Sequence, residues 1–135
     1  MKGFKKIEVN KQTNKTHQNT KSSRKEILSK ALINHSKGNV KQAIKYYKMF
    51  IDNGFEDPIV FSNYGVICKQ KGQLDIARKL YRKSINLFPN SPDAYSNLGN
   101  ILKNEGKLKE AEELIRKAIE LKPDFANAHS NLGDL

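Results

Sequence analysis

The sequence has few of the features that mark secreted and membrane proteins. It contains one cysteine, Cys68, in 135 residues. A single cysteine cannot form an intramolecular disulfide, and it is typical of a protein kept in a reducing compartment. No apolar run approaches the roughly 20 residues that a membrane-spanning helix needs. The lysine-rich start of the chain also lacks the apolar segment of a secretory signal. We therefore predict a cytoplasmic protein with no membrane partner.

Residues able to carry catalysis or to hold a metal are also scarce. The three histidines, His17, His35 and His129, lie far apart in the sequence, and no histidine or cysteine pair has the spacing of a metal site. Cys68 falls at an apolar position of the pattern described below, where packing explains it better than reactivity. The sequence therefore predicts no catalytic residue, no metal site and no cofactor.

Acidic residues are too few to balance the basic ones, and the net charge is +11. The excess of basic residues lies toward the N-terminus, a pattern typical of binding to nucleic acid, to an anionic membrane or to an acidic protein, or of solubility alone. A basic cluster of four residues stands out: Arg78, Lys79, Arg82 and Lys83. We expect it to form a solvated helix face, with binding of nucleic acid or an acidic protein as the alternative.

What the sequence does contain is a period of 34 residues. Residues 58–91 and 92–125 are identical at 15 of 34 positions, and residues 126–135 match the start of that unit at 5 of 10. Residues 24–57 follow the same pattern more weakly. A fixed period of this length predicts a repeat array over residues 23–135. Residues 1–22 are polar and basic, and we expect a disordered tail there.

Each unit reads as helix, tight turn, helix. Residues of the N-cap type recur every 34 positions as Ser23, Asp57 and Ser91, and Ser23 with Glu26 forms a capping box. Prolines follow two of these caps, and a glycine ends each first helix. The pattern predicts an all-α fold with helices over residues 24–37, 40–53, 58–71, 74–88, 92–105, 108–121 and 125–135.

These positions resemble the tetratricopeptide repeat. The residues of unit 92–125 that carry the resemblance are Tyr95, Leu98, Gly99, Leu102, Ala111, Ile115, Ala118 and Pro123, and those of unit 58–91 are Phe61, Tyr64, Gly65, Cys68, Ala77, Tyr81, Ser84 and Pro89. Unit 24–57 departs from the pattern at Lys30, where a large apolar residue is expected, and at Phe55, which replaces the proline. The resemblance implies a right-handed α-solenoid of about three repeats plus one extra helix.

The resemblance also implies a role in protein–protein recognition, with first helices lining a concave groove. Asn63, Asn97 and Asn131 recur every 34 residues on these helices and would contact the main chain of an extended peptide. The full predicted set of groove residues is Asn63, Asn97, Asn131, Ser62, Ser96, Asn100, Lys69 and Lys103. Tying adjacent helices together is the alternative role for these side chains. The family's clamp for a C-terminal carboxylate is not found, because Asp93 and Asn97 hold two of its basic positions.

Residues 126–135 supply one further first helix. Ala128, His129, Leu132 and Leu135 fit its packing face. We expect either a longer array or self-association through this uncapped end. Three functions compete: a non-catalytic scaffold that binds a peptide or protein, the recognition arm of a larger transferase of the kind to which similar bacterial arrays are fused, and a basic array that binds nucleic acid.

Overall fold

The structure, a computed structural model, describes residues 23–135. In this part of the chain every regular element is a helix, as predicted. The helices are residues 23–36 (α1), Val40–Asp52 (α2), Pro58–Gln70 (α3), Leu74–Leu87 (α4), Pro92–Asn104 (α5), Leu108–Leu121 (α6) and Ala126–Gly133 (α7). They form two compact units that meet in sequence at Glu56 and Asp57. The predicted tail, residues 1–22, lies outside the described residues.

The first unit is the helix pair α1 and α2. Its core side chains include Ala43, Tyr47 and Phe50, all fully buried. The Tyr47 hydroxyl lies 2.7 Å from Nδ1 of His35, whose ring meets the tyrosine edge-on. The Arg24 guanidinium stacks 5.3 Å from the centre of the Phe50 ring. A cation over an aromatic face adds roughly 0.5–1 kcal/mol at an exposed site, so these contacts supplement a small apolar core.

The two departures from the repeat pattern in this unit have simple structural outcomes. Lys30 is exposed, and its ammonium lies 5.8 Å from the centre of the Tyr46 ring. Phe55 packs against Phe50 with ring centres 5.4 Å apart. The lysine therefore stays at the surface, and the aromatic residue that replaces the proline extends the core instead of interrupting it.

The second unit begins with the predicted caps. Asp57 precedes α3, and its side chain accepts a hydrogen bond from the Ile59 N–H at 3.0 Å. Pro58 and Pro92 occupy the first positions of α3 and α5, where the missing N–H has no helical partner to lose. Ser91 stands at the N-cap of α5 without a side-chain cap bond. Residue 23 is already helical, so Ser23 is not the N-cap that the sequence predicted.

The turns inside the units repeat one geometry, as the glycine spacing predicted. Gly72 has φ of 77° and Gly106 has φ of 82°, both in the left-handed region that favours glycine. The next residue in each turn donates back to the preceding helix, Gln73 to Cys68 O at 2.8 Å and Lys107 to Leu102 O at 2.9 Å. These bonds satisfy carbonyl groups at the helix end and reverse the chain into the second helix.

Pairing of α3 with α4 and of α5 with α6 depends on one small residue facing one large one. A Cβ on Gly65 would lie 2.7 Å from the Tyr81 ring, and a Cβ on Gly99 would lie 2.7 Å from Cγ1 of Ile115. Tyr81 and Ile115 are fully buried. The backbones therefore approach to contact distance, and α5 in turn packs on α4, so the helix pairs stack.

The last helix, α7, packs on α5 and α6 along one side only. Ala128 is buried and Leu132 is partly buried against α6, as predicted. His129 and Leu135 are exposed, and their predicted place on a packing face stays a prediction. His129 has a local contact, because its Nε2 lies 2.7 Å from the carbonyl oxygen of Pro123.

Candidate functional site

A polar pocket of about 200 Å³ opens on α3, α5 and α7, the first helices of three successive 34-residue repeats. Its walls come from α3, α5 and α7, and they consist of amide and hydroxyl side chains with one ammonium. The lining residues are Lys69, Ser96, Asn97, Asn100, Asn127, Ser130 and Asn131. Helices α3, α5 and α7 hold equivalent positions in successive units, so the 34-residue spacing places these side chains next to one another.

A chain of hydrogen bonds crosses the floor of this polar pocket. Lys69 Nζ donates to Asn100 Oδ1 at 2.6 Å, and Asn100 Nδ2 donates to Asn131 Oδ1 at 3.0 Å. Asn131 Nδ2 in turn lies 3.4 Å from the Ser96 hydroxyl oxygen. The three helices are thus tied together by side chains, which was the alternative role considered for these residues. Each amide nitrogen carries two hydrogens and each amide oxygen two lone pairs, so this network leaves unused donors and acceptors.

The polar pocket is positive. Lys69 is the only charged residue of its lining, and Lys103 lies near enough to influence it electrostatically. Burial lowers the pKa of the Lys69 ammonium below its usual range, and the like charge of Lys103 lowers it further. Lys103 has its own partner, because its ammonium lies 3.7 Å from a carboxylate oxygen of Asp134. An anionic group beside Lys69 would relieve both unfavourable effects on its charge.

Five of the eight predicted groove residues line the polar pocket: Lys69, Ser96, Asn97, Asn100 and Asn131. Ser96 is almost fully buried, with 2% of its surface exposed, so its hydroxyl supports the floor. Ser62 and Asn63 are partly exposed on α3 and do not line it, and neither does Lys103. Their role as groove contacts stays a prediction.

Two lining residues were not predicted. Ser130 repeats Ser62 and Ser96 at the 34-residue interval, so the same spacing signal identifies it. Asn127 has Asp93 as its equivalent in the preceding unit, and no repetition marks it in the sequence. Asn97, Asn127 and Ser130 make no side-chain hydrogen bond within residues 23–135, and they present free polar groups to the pocket opening.

Two of the four residues in the basic cluster on α4 form ion pairs. Arg78 pairs with both Asp75 and Glu105, and Arg82 pairs with Glu110 at 3.0 Å. Glu105 and Glu110 belong to the following unit, so the arginines join successive repeats. The cluster therefore acts in part as an interface between repeats, and it is less basic than its sequence indicates.

The described residues contain no group of three or more acidic, histidine or cysteine side chains arranged to hold a metal ion. Cys68 is buried in α3, as its place in the repeat pattern predicted. Among helices of residues 23–135, none has the length and apolar character needed to cross a membrane.

Comparisons with known proteins agree with the helix-pair architecture. The family model of the tetratricopeptide repeat matches residues 92–125, and a second model, of the TPR repeat, matches residues 65–106. A comparison with curated proteins found no match.

Solved structures give the same fold. The first TPR domain of Spaghetti (RPAP3), solved with an HSP90 peptide, is 20% identical with a TM-score of 0.74 over 84% of this chain and 90% of its own. An O-GlcNAc transferase of Thermobaculum terrenum is 25% identical with a TM-score of 0.71 over 82% of this chain, which spans only 21% of that enzyme. YrrB, a TPR protein with an unusual peptide-binding site, is 24% identical with a TM-score of 0.72 over 84% of this chain and 59% of its own. Residues 65–125, which the two family models cover, are therefore tetratricopeptide repeats.

Proposed function

We propose that the chain is a non-catalytic recognition module that binds an extended peptide in the polar pocket of α3, α5 and α7. The single observation that carries this proposal is the set of unpaired polar side chains at the pocket opening, Asn97, Asn127 and Ser130, above a hydrogen-bonded floor. An extended peptide exposes one N–H and one C=O per residue. Carboxamide groups donate and accept at once, and they match both groups of the main chain.

The charge of the polar pocket narrows the class of peptide. Its lining contains Lys69 and no carboxylate. The ligand is therefore an extended segment with an acidic side chain placed to reach Lys69. Two of the similar structures, a Spaghetti domain and YrrB, are described with a peptide or a peptide-binding site, which supports this use of the fold.

Selection from a displayed library of randomised linear peptides tests the proposal. We expect the wild-type chain to enrich peptides that contain Asp or Glu. The double variant Asn97→Ala/Asn127→Ala removes carboxamides that have no partner in the fold, so it keeps its stability and loses at least about ten-fold in affinity, the equivalent of one or two hydrogen bonds.

A charge-matched pair of variants separates pocket binding from general attraction. Lys69→Gln removes the ammonium of the polar pocket, and Lys79→Gln removes an exposed ammonium of α4. Selected peptides should bind Lys79→Gln as they bind wild type and should bind Lys69→Gln more weakly. Equal losses in both variants, or no enrichment at all, would contradict the proposal.

A second candidate function is the peptide-recognition arm of a larger transferase. The similarity to the Thermobaculum terrenum O-GlcNAc transferase favours it. O-linked transfer needs a hydroxyl acceptor, so the same selection distinguishes the two. Enrichment of Ser or Thr at a fixed position beside the acidic residue indicates a substrate arm, and its absence indicates an adaptor.

A further inference from the structure

The second helices α2, α4 and α6 share one exposed face. Residues three and four positions apart are neighbours on a helix surface, and three such positions recur on these helices at 34-residue intervals. They are Lys41, Lys45 and Lys48 on α2, Asp75, Lys79 and Arg82 on α4, and Lys109, Glu113 and Arg116 on α6, and all nine side chains are exposed. Helix α4 packs on both α3 and α5 and still exposes this face. The exposure therefore belongs to the position in the repeat. We call the α2 set the lysine row.

The lysine row differs from its equivalents because its charges have no carboxylate partners. On α4 Arg82 pairs with Glu110 at 3.0 Å, and on α6 Arg116 pairs with Glu112 at 2.9 Å. The lysine row forms no ion pair with any of residues 23–135. Asp52, at the last position of α2, is exposed and is not within ion-pair distance of it. The row therefore keeps its full positive charge.

The lysine row is also placed against the preference of its own helix. The helix dipole favours acidic side chains in the first turn and basic ones in the last. Helices α4 and α6 follow this rule with Asp75 and Glu110 in their first turns. Helix α2 has no acidic residue in its first turn, which contains Lys41, and no basic residue in its last turn. An anion bound beside Lys41 would offset this unfavourable arrangement.

One aromatic side chain accompanies the lysine row. Tyr46 is only partly buried, and the ammonium groups of Lys45 and of Lys30 on α1 each lie 5.8 Å from the centre of its ring. Proteins hold unpaired nucleic acid by this combination, because cations contact the phosphates and aromatic rings stack on the bases. The face thus offers both kinds of contact on adjacent residues.

Other anionic partners fit this face less well. A helix that binds an anionic membrane inserts its apolar side, whereas α2 buries Ala43, Tyr47 and Phe50 in its own unit. An interface with an acidic protein has an apolar centre inside a polar rim. On α2 only Met49 is a large apolar side chain that is exposed. A row of cations without an apolar centre matches the repeated charge of a phosphate backbone.

We propose that the face of α2 formed by the lysine row and Tyr46 binds single-stranded nucleic acid. Successive phosphates contact the three ammonium groups, and a base stacks on the Tyr46 ring. These contacts read the backbone and the face of a base, so binding does not depend on sequence. Residues 1–22 precede this unit in the sequence and add six lysines against one acidic residue. Helix α2 takes no part in the polar pocket, so the two sites are independent.

Fluorescence anisotropy of a labelled oligothymidylate of about ten nucleotides tests the proposal on the full chain. The triple variant Lys41→Gln/Lys45→Gln/Lys48→Gln removes the lysine row and should lower the affinity at least about ten-fold. Three phosphate contacts on a single strand contribute about −2 to the slope of log K against log salt concentration. The variant should therefore show a slope that is less steep by about that amount.

A charge-matched variant separates the lysine row from general attraction. Lys71→Gln/Lys79→Gln/Lys109→Gln removes three exposed lysines of the second unit that likewise form no ion pair within residues 23–135. It should keep the affinity and the salt slope of wild type. Both triple variants retain residues 1–22, so any attraction by that basic segment is the same in each.

Two further variants test the stacking contact. Tyr46→Phe keeps the ring and should bind as wild type does. Tyr46→Leu introduces the residue that α4 and α6 have at this position, Leu80 and Leu114, so the helix pair should still form. Loss of one stacked base should lower its affinity about five-fold or more. Circular dichroism confirms that each variant keeps the helix content of wild type.

Three results would overturn the proposal. One is no binding of the oligothymidylate by the wild-type chain at low salt, and binding to phosphatidylserine vesicles instead would assign the face to a membrane. A second is an equal loss of affinity in the two triple variants, which would mean attraction by net charge alone. The third is tighter binding to a duplex of the same length with no effect of Tyr46→Leu, which would exclude recognition of an unpaired base.

Discussion

Units 58–91 and 92–125 share one frame and differ in what fills it. Both place glycine against a large side chain, both reverse direction at a left-handed glycine, and both start their first helix with proline. Within that frame unit 58–91 has Tyr81 and Ser84 at the positions where unit 92–125 has Ile115 and Ala118. Positions that set the backbone distance are therefore fixed, and positions that only fill volume vary.

The interior of unit 58–91 buries polar groups at a cost in free energy, and unit 92–125 has no equivalent groups. Within residues 23–135, the Tyr81 hydroxyl and the Ser84 hydroxyl are buried without a hydrogen-bond partner. A buried polar group without a partner costs about 1–3 kcal/mol. Ile115 and Ala118 bury no polar side-chain atom, so unit 92–125 does not have this cost.

The surfaces of units 58–91 and 92–125 differ in charge, and the opposite charges form ion pairs between the two units. Residues 58–91 have six Lys or Arg and one Asp, whereas residues 92–125 have six Lys or Arg and seven Asp or Glu. Arg78 and Arg82 of the basic unit pair with Glu105 and Glu110 of the acidic one. Part of the charge asymmetry therefore serves ion pairs between repeats and is not available to an anionic partner.

We expect the largest loss of stability from a substitution at the close contact between the two helices of one unit. Gly99→Val should destabilise the chain by about 3 kcal/mol, because its Cβ alone would lie 2.7 Å from Ile115 Cγ1 and 3.2 Å from the Ala111 carbonyl oxygen. Helix propensity changes little between Gly and Val, so the overlap decides the result. Chemical denaturation followed by circular dichroism measures the loss.

Gly133→Val is the control for that prediction. Its Cβ would meet no atom within 4 Å, so we expect a change within about 0.5 kcal/mol. The three atoms nearest to a Cβ on Gly65 all belong to the Tyr81 side chain, so Gly65→Val should lose somewhat less than Gly99→Val, which also meets backbone. Equal stability of all three variants would mean that the close glycine contacts do not hold the helix pairs together.

Most of this frame is predictable from the sequence because it is local and repeated. The cap at Asp57, the helix starts at Pro58 and Pro92 and the glycine turns each follow from a residue type with one dominant conformational use. Ser23 is already helical although Glu26 completes a capping-box pattern with it, because a serine also fits inside a helix and the pattern alone does not fix the boundary.

The contents of the polar pocket are harder to predict. The sequence identifies Asn97, Asn100 and Asn131 as candidates, but it does not reveal that Asn100 and Asn131 bond to each other, because that depends on the offset between α5 and α7. The pairing of Arg82 with Glu110 depends on the same offset, over a separation of 28 residues. Spacing rules within one helix cover only neighbours three or four positions apart.

An intermediate effect sharpens the comparison of the two interiors. Ser84→Ala converts this position to the residue that unit 92–125 has at Ala118, and it should stabilise the chain by about 1 kcal/mol. Ser96→Ala is the matched control, because that buried serine has Asn131 as a partner, and it should give no such gain. A loss of stability in Ser84→Ala would show that its hydroxyl is satisfied in solution.

The smallest expected effect is on stability in alkali, where Tyr81 can lose a proton and Ile115 cannot. At neutral pH this difference between the two units has no effect. Burial raises the pKa of Tyr81 well above its ordinary value of 10.0, and the neighbouring Cys68 raises it further. Above pH 10 the unfolded chain therefore releases the phenol proton while the folded chain keeps it. The stability that Tyr81 contributes is complete below that pH and is lost as the pH rises toward the folded-state pKa.

Denaturation of wild type and Tyr81→Phe across this range isolates the effect from that of the lysines, which titrate in both. The stability difference between the two proteins should change only above about pH 10, in favour of Tyr81→Phe. Parallel curves would mean that the phenol ionises as readily in the folded chain as in the unfolded one, and that the interior of unit 58–91 is open to water.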